Sequence, residues 1–357
     1  MTSAQLEHAE PIRSDLDHTD RVVLYPTFGH QSADGKSWYI GVSGVVFEPG
    51  RESLRKRMLL RVLQRLMSVP ATELQSEVFQ DRISCFLVDT ERGKRVAVRI
   101  GDRVQMLQRP SKRNGHFRGS FQIAAHELAC LWDRSESPAG WLDVKVVSDH
   151  ATGEVAGQTQ LIGQTGISVI SDIDDTIKRS DVADRRRLLR NTFLHEYEAV
   201  GGMPEIYQDW AVRGAAFHYV SSSPWQLYAS LEDLLTASGF PAGSFHLRNI
   251  RLRDPSVLRL LFARRSGKRR IIHKIVKMFP HRQFLLVGDS GERDPEIYGH
   301  VARSFPKQIR RIVIRRVEGR ELSEERLRKA FRNLPETTWQ VFDEPSELKN
   351  LPLSGQF

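Results

Sequence analysis

Two hydrophobic patterns divide the chain near residue 165. Ahead of it, short apolar stretches at 22–25, 38–47, 83–88, 95–100, 120–124, 141–147 and 154–162 are rich in Val, Ile and aromatic residues. Clusters of Gly, Pro, Ser and Asp separate them, and strands of that length and spacing predict a mainly-β, sandwich-like domain over 20–164. One segment departs from the pattern. Over 52–67, Leu59, Val62, Leu63, Leu66 and Met67 recur on one side of a helix, with Arg57, Arg61 and Arg65 opposite. A core-packing helix with a solvated basic face is the favoured reading, an interfacial helix on anionic lipid the other. Arg55 intrudes on the apolar side in both. Residues 1–19 are polar and read as a flexible arm, and 346–357 as a C-terminal tail.

Beyond 165 the strand-like runs alternate with helix-period segments. Strands are expected at 167–171, 215–220, 245–247, 284–287 and 311–314. Helices are expected at 185–200, 204–212, 224–238, 268–279 and 295–303, with Gly239 and Pro280 standing as stops. Alternation of this kind predicts a doubly wound parallel sheet over 165–345. The break at 164–166 marks the domain boundary.

Charge narrows the partners without choosing one. The 357 residues carry a formal charge of +9, and a globular balance of 40% hydrophobic and 27% charged residues. An excess of arginine favours phosphorylated substrates, nucleic acid or an anionic membrane surface. Two cysteines without a C-x-x-C spacing imply neither a zinc site nor a disulfide framework, so a reducing compartment is the default. No apolar run approaches the length that spans a bilayer, and the N-terminus has no signal-peptide pattern. The expectation is a cytoplasmic protein, at most peripheral to a membrane.

Candidate chemistry concentrates where three predicted strands end. The first runs into Asp172, Asp174, Asp175 and Thr176 in SDIDDTIK. Strand-like alternation points Asp172 and Asp174 to one side, and two carboxylates that close repel unless a cation or proton separates them. The second ends at Ser221 in YVSSSPWQLY, where Ser223 suits an N-cap and Pro224 a first helical turn. The third ends in VGDSGERDPEIY, where Gly288 and Gly291 allow a tight turn beside Asp289 and Asp294. In open α/β sheets ligands bind beyond the carboxyl ends of the strands, so these residues are expected to meet at one rim. Asp172 with Asp289 would suit Mg²⁺, which takes one or two carboxylates plus water and phosphate oxygens. Asp294 is a further ligand, a residue orienting water or Lys268, or an N-cap ahead of Pro295. Lys268, just before the 268–279 helix, is placed to reach a phosphate or to screen the carboxylates.

The set DIDDT, YVSSSPW, Lys268 and VGDSGERDPEIY resembles the four motifs of haloacid-dehalogenase-type (HAD) phosphatases. More narrowly, SDIDDTIK with SSSPWQLY and GDSGERDPEIY is similar to the actin-patch phosphatidate phosphatase family, which is related at motif level to lipins. The N-terminal VVLYPTFGH segment and the basic helix resemble that family's accessory domain. The resemblance implies an HAD-like catalytic domain that converts phosphatidate to diacylglycerol with Mg²⁺. It makes Asp172 a nucleophile forming an aspartyl-phosphate, and Asp174 the acid that protonates the leaving alkoxide and then the base for water. Asp174, free of direct metal charge, is expected to hold a proton at mild pH. Ser221 and Lys268 would hold the phosphoryl oxygens. Asp172, Asp289, Asp294 and the backbone carbonyl of Asp174 would hold the metal. Asp175 and Thr176 are expected to build the turn.

HAD enzymes choose substrates through cap insertions, and neither insertion point here has room for a large one. An open rim suits bulky or surface-bound substrates. Arg248, Arg251, Arg253, Arg259, Arg264, Arg265, Arg269 and Arg270 line the second gap, with Arg185, Arg186, Arg187 and Arg190 near the first motif. Such basic patches suit docking on anionic lipid, with a solvated basic surface or simple attraction of a phosphorylated substrate as the plainer readings. Two other functions stay open: a phosphatase of another exposed phosphoester, on a nucleic-acid end or a phosphoprotein, and a non-catalytic lipid-binding module. No RNA-binding motif accompanies the charge, although nucleic acid remains compatible with it.

Overall fold

The computed structural model describes residues 11–50, 54–132, 140–149, 154–181, 184–249, 267–319 and 322–352. In chain order, β1 (Arg21–Tyr25), β2 (Thr27–Gln31) and β3 (Ser37–Glu48) lead into α1 (Leu54–Met67) and α2 (Glu77–Phe86). Then come β4 (Asp89–Thr90), β5 (Ala97–Ile100), β6 (Arg103–Met106), β7 (His116–Ala124), α3 (Ala125–Trp132), β8 (Trp141–Val147) and β9 (Ala156–Ile162). The chain forms two compact units. One takes the residues up to 49 and 89–161, the other 50–88 and 162 onward.

In the first unit nine strands share one sheet, ordered β1-β3-β2-β9-β8-β5-β6, with β4 and β7 also paired to β3. Leu24, Ile40, Val98, Phe117, Phe121 and Val144 bury into one core although their strands lie far apart in that order. A flat sheet cannot bring its ends together, so this one curls. The mainly-β expectation holds, but as one continuous sheet and not as two separately bonded sandwich layers. Residues 11–19 are not a loose arm: Ser14 N donates to Val147 O at 2.8 Å and Leu16 is buried in the core. The rest of the expected arm, 1–10, lies outside the described residues.

Residues 50–88 interrupt the β-rich unit in sequence yet pack with the second, so the 20–164 boundary does not follow the compact units. Their apolar faces explain it. Leu59, Leu63 and Met67 of α1 and Phe79, Ile83 and Phe86 of α2 join the second unit's core. The stretch 83–88, expected as a strand, is thus mostly helix. Phe79, Ile83 and Phe86 recur at helical spacing, and the Ser76 hydroxyl caps α2 by accepting from Phe79 N at 3.3 Å.

The second unit continues with β10 (Ile167–Ser171), α4 (Arg185–Phe193), α5 (Met203–Val212), β11 (Ala216–Pro224), α6 (Tyr228–Ala237) and β12 (Ser244–Arg248). It ends with α7 (Gly267–Met278), β13 (Gln283–Asp289), α8 (Asp294–Ser304), β14 (Ile309–Arg315), α9 (Glu324–Ala330) and β15 (Trp339–Phe342). The sheet order is β12-β11-β10-β13-β14-β15, and every neighbour pair is parallel. Val169, Leu285, Val287 and Val313 enter the core built with α1, α2, α4, α5 and α6. Ile170, Leu286, Ile312 and Ile314 alternate with them along the strands and are equally buried. The order reverses between β10 and β13, and that is where such sheets open a crevice. The edge strand β15 and helix α9 were not expected from the sequence. The expected tail begins with a 3-10 helix, Pro345–Leu348, and Leu348 and Leu351 are buried, so 346–352 is docked. Residues 353–357 lie outside the described residues.

Candidate active site

The switch point brings the motif residues together. Asp172 follows β10, and its N–H donates to Val287 O at 2.9 Å, so the backbone is held against β13 before the chain turns. Ile173 and Ile177, both fully buried, pin that turn in the core. Asp175 takes a positive φ of 54°. Its Oδ1 accepts from Ser180 N at 2.8 Å and Asp181 N at 3.0 Å. Asp175 therefore builds the turn, as expected. The Thr176 hydroxyl lies 3.5 Å from Asp172 Oδ2.

Opposite, β13 delivers Asp289. Its Oδ1 accepts from Gly291 N at 2.6 Å and Glu292 N at 2.9 Å, which folds the following turn around the carboxylate. Its Oδ2 is buried without a hydrogen-bond partner among the described residues. Carboxylate oxygens of Asp172, Asp289 and Glu292 all lie within 4.8 Å of one another. Lys268, at the start of α7, sits 2.8 Å from Asp172 Oδ1 as an ion pair without hydrogen-bond alignment, and donates to Asp294 Oδ1 at 2.6 Å. Asp294 Oδ2 accepts from Asp289 N at 3.3 Å. Both Asp294 oxygens are thus engaged, and of the roles open to it, orienting Lys268 is the one its bonds display. It is the first residue of α8, so it does not cap that helix from outside. Gly288 is required here. A Cβ would stand 2.3 Å from Asp294 Oδ2 and 2.7 Å from Tyr298 Cε2.

The electrostatics favour a cation. Burial raises the proton affinity of Asp172 well above the carboxylate range; Lys268 opposes this while Asp294, Glu292 and Asp289 add to it. Asp289 is raised by burial and by Asp294 in the same way. Burial works against the charge on Lys268, but Asp172 and Asp294 outweigh it and hold the ammonium charged. An unpartnered buried oxygen inside a three-carboxylate cluster of hard oxygen donors fits a magnesium ion.

A second cluster forms around Asp174. Its Oδ2 accepts from Ser221 Oγ at 3.0 Å and Ser223 Oγ at 2.7 Å. Its Oδ1 accepts from Ser180 Oγ at 2.8 Å and pairs with Lys178 Nζ at 2.9 Å. Lys178 also lies over the Tyr197 ring, 4.5 Å from its centroid. Burial alone would raise Asp174, but Lys178 and the hydroxyl donors outweigh it and hold the carboxyl well below its usual range. That corrects the expectation of a proton on Asp174 at mild pH. Ser223 is likewise not an N-cap, and Pro224 does not sit in a first helical turn but stands as the N-cap of a 3-10 helix, Trp225–Leu227. Both extend β11, and Ser223 spends its hydroxyl on Asp174.

Asp172, Lys268, Asp289 and Asp294 therefore meet in one cluster, with Asp174 and Ser221 in an adjoining one. Sequence reasoning missed Glu292, Lys178, Ser180 and Ser223. Glu292 follows Asp289 by three residues, and Lys178 lies four beyond Asp174, but neither spacing distinguishes a site residue from ordinary turn polarity. The arginine-rich stretch after Arg248 lies largely outside the described residues.

Residues 167–316 match the family described as Phosphatidate phosphatase APP1, catalytic domain. Over that segment the chain is similar to the APP1-type phosphatidate phosphatase family. Phosphatidate phosphatase APP1 of Saccharomyces cerevisiae is 42% identical over 154 residues, which is 42% of this chain and 26% of the yeast protein. An uncharacterised protein of Schizosaccharomyces pombe is 32% identical over 164 residues, 45% of this chain and 27% of that protein. The chain thus spans about a quarter of the length of these relatives. A Thermotoga maritima structure described as a beta-phosphoglucomutase aligns with 52% of this chain and 97% of its own, at 13% identity and a TM-score of 0.32. At that score it carries no argument about the fold. The APP1-type segment contains all four expected motifs.

Proposed function

We propose that the second unit is an HAD-like, Mg²⁺-dependent phosphatase that converts phosphatidate to diacylglycerol through an aspartyl-phosphate on Asp172. The observation that carries the reading is the meeting of buried Asp172 and Asp289 with half-buried Glu292 at the switch point, with an unpartnered Asp289 oxygen. The substrate rests on the APP1-type match.

Asp172, Asp289 and Glu292 would hold the metal, with the Asp174 carbonyl as the ligand the motif resemblance adds. Bound there, Mg²⁺ supplies positive charge to the transferring phosphoryl oxygens. The Asp172 carboxylate attacks phosphorus, and Lys268, steered by Asp294, neutralises charge as the P–O bond to the lipid breaks. Asp174, ionised behind Lys178, is ready as the base that activates water to hydrolyse the aspartyl-phosphate. Its acid role in the first step, proton transfer to the leaving alkoxide of the lipid, needs a proton on Asp174, which a monoanionic phosphate of the arriving substrate would bring.

The setting that fits is cytoplasmic and peripheral to an anionic membrane. Arg57, Arg61 and Arg65 are exposed one turn apart on α1, beside exposed Met58 and Leu66. No described helix is long and apolar enough to cross a membrane. The decisive assay is Mg²⁺-dependent phosphate release from phosphatidate, lysophosphatidate, oligonucleotide 3′-phosphates and phosphopeptides, with Asp172→Asn as control. Phosphatidate should be preferred and Asp172→Asn inactive. Release from oligonucleotides alone would sink the lipid reading.

A further inference from the structure

The turn that carries Asp289 and Glu292 is gripped from a part of the chain beyond the family match. Arg326 lies in α9, ten residues past the end of the matched segment at 316. Its Nη1 donates to Ser290 O at 2.6 Å and its Nη2 to Glu292 O at 2.5 Å. The same guanidinium closes a forked pair on Glu296 of α8, with Nε to Oε1 at 2.8 Å and Nη2 to Oε2 at 3.2 Å. The Ser323 hydroxyl caps α9 by accepting from Arg326 N at 3.2 Å, which fixes the base of the side chain. From the other side, Ser290 N donates to Arg315 O and Ser290 Oγ accepts from Val317 N, both at 2.9 Å.

We propose that Arg326 is a positioning residue that sets the metal affinity of the Asp172–Asp289–Glu292 cluster, an inference that rests on the metal-binding reading above. The turn between β13 and α8 has carbonyls at 290 and 292 that belong to neither element. A planar guanidinium can hold both at once while anchored to Glu296; an ammonium cannot. Holding those carbonyls fixes where Glu292 leaves the turn, and so where its carboxylate stands relative to Asp172 and Asp289. Partners of this kind behind metal ligands govern affinity about 10–100-fold. The helix α9 is thereby part of the catalytic unit although it lies outside the family segment. The guanidinium also borders an open cavity of about 530 Å³ lined by Glu296, Arg303, Lys329 and Arg332 among others, so a small cation can reach its place.

The test uses the full chain and Mn²⁺ as probe, with bound and free metal measured by electron paramagnetic resonance. Arg326→Ala should weaken Mn²⁺ binding on the order of tenfold or more, and added guanidinium ion should restore part of the loss. Arg326→Lys, which keeps the charge and tests the case if the alanine variant does not fold, should stay weakened. Lys329→Ala, in the same cavity wall, should bind as wild type does. Unchanged Mn²⁺ affinity in folded Arg326→Lys overturns the clamp alone. A wild-type chain that binds no Mn²⁺ overturns the metal-binding reading and the clamp with it.

Discussion

Replacing Asp289 with Asn should stabilise the metal-free protein while abolishing its response to Mg²⁺. Asp289 is fully buried, and its carboxylate lies within 4.8 Å of those of Asp172 and Glu292. At an effective dielectric constant of about 20, each unit repulsion at that distance is about 3.5 kcal/mol. Lys268 offsets part of it. The Asn oxygen can keep the bonds from Gly291 N and Glu292 N, losing about 1 kcal/mol apiece with the charge. The Asn amide also gives the unpartnered Oδ2 position a donor facing its carboxylate neighbours. The net gain is about 2 kcal/mol, or roughly 4–8 °C in the midpoint of a unit this size. The sign with pH follows from the raised proton affinity of Asp289. Such a carboxyl stabilises the fold fully below the unfolded value near ~4 and loses that contribution as pH rises. The advantage of Asp289→Asn should therefore be present at pH 7.5 and vanish towards pH 4. With Mg²⁺ the order reverses, because wild type gains about 2.7 kcal/mol at a hundred times the dissociation constant and the variant does not. Scanning calorimetry in EDTA and in Mg²⁺ reads both. A lower midpoint for Asp289→Asn in EDTA at pH 7.5, or a retained Mg²⁺ shift, would refute the reasoning.

Lys178→Met should cost about 3–5 kcal/mol at neutral pH, because it leaves Asp174 a buried charge without its cation. Asp174 is held below its usual range. The stability this represents is present above about pH 4 and falls away in stronger acid, so the urea midpoints of variant and wild type should converge there. His116, buried in the first unit, has its pKa lowered to about 4 by desolvation, opposed by its hydrogen bond to the Gly44 backbone and helped by the charges of Arg118 and Lys112. Its unfolded form binds the proton first, so the fold is fully stable above about pH 6.5 and loses about 3 kcal/mol towards pH 4.5. His116→Gln should flatten that slope in urea titrations. An unchanged slope would show that another group carries it.

The order of apolar and polar residues is enough to specify the parallel unit and the carboxylates on its rim. Apolar runs at the strand spacing force β10, β11 and β13, and the carboxylates that interrupt Ile167–Ser171 and Gln283–Asp289 at their ends can stand only at a sheet's edge. Local pattern fixes such elements because each buries its own residues. Tertiary structure decided what local pattern cannot encode. Residues 83–88 share Val, Ile and Phe composition with strands, and only the burial of Phe79, Ile83 and Phe86 in the second unit's core makes 83–86 part of a helix. Asp174 and Asp172 look equivalent in SDIDDTIK. Lys178 and the hydroxyls of Ser180, Ser221 and Ser223 converge on one, while Lys268 and the Asp289–Glu292 turn face the other. Their proton affinities part in opposite directions because charge and burial at a carboxylate are set by neighbours from distant segments, and those are known only once the chain has folded.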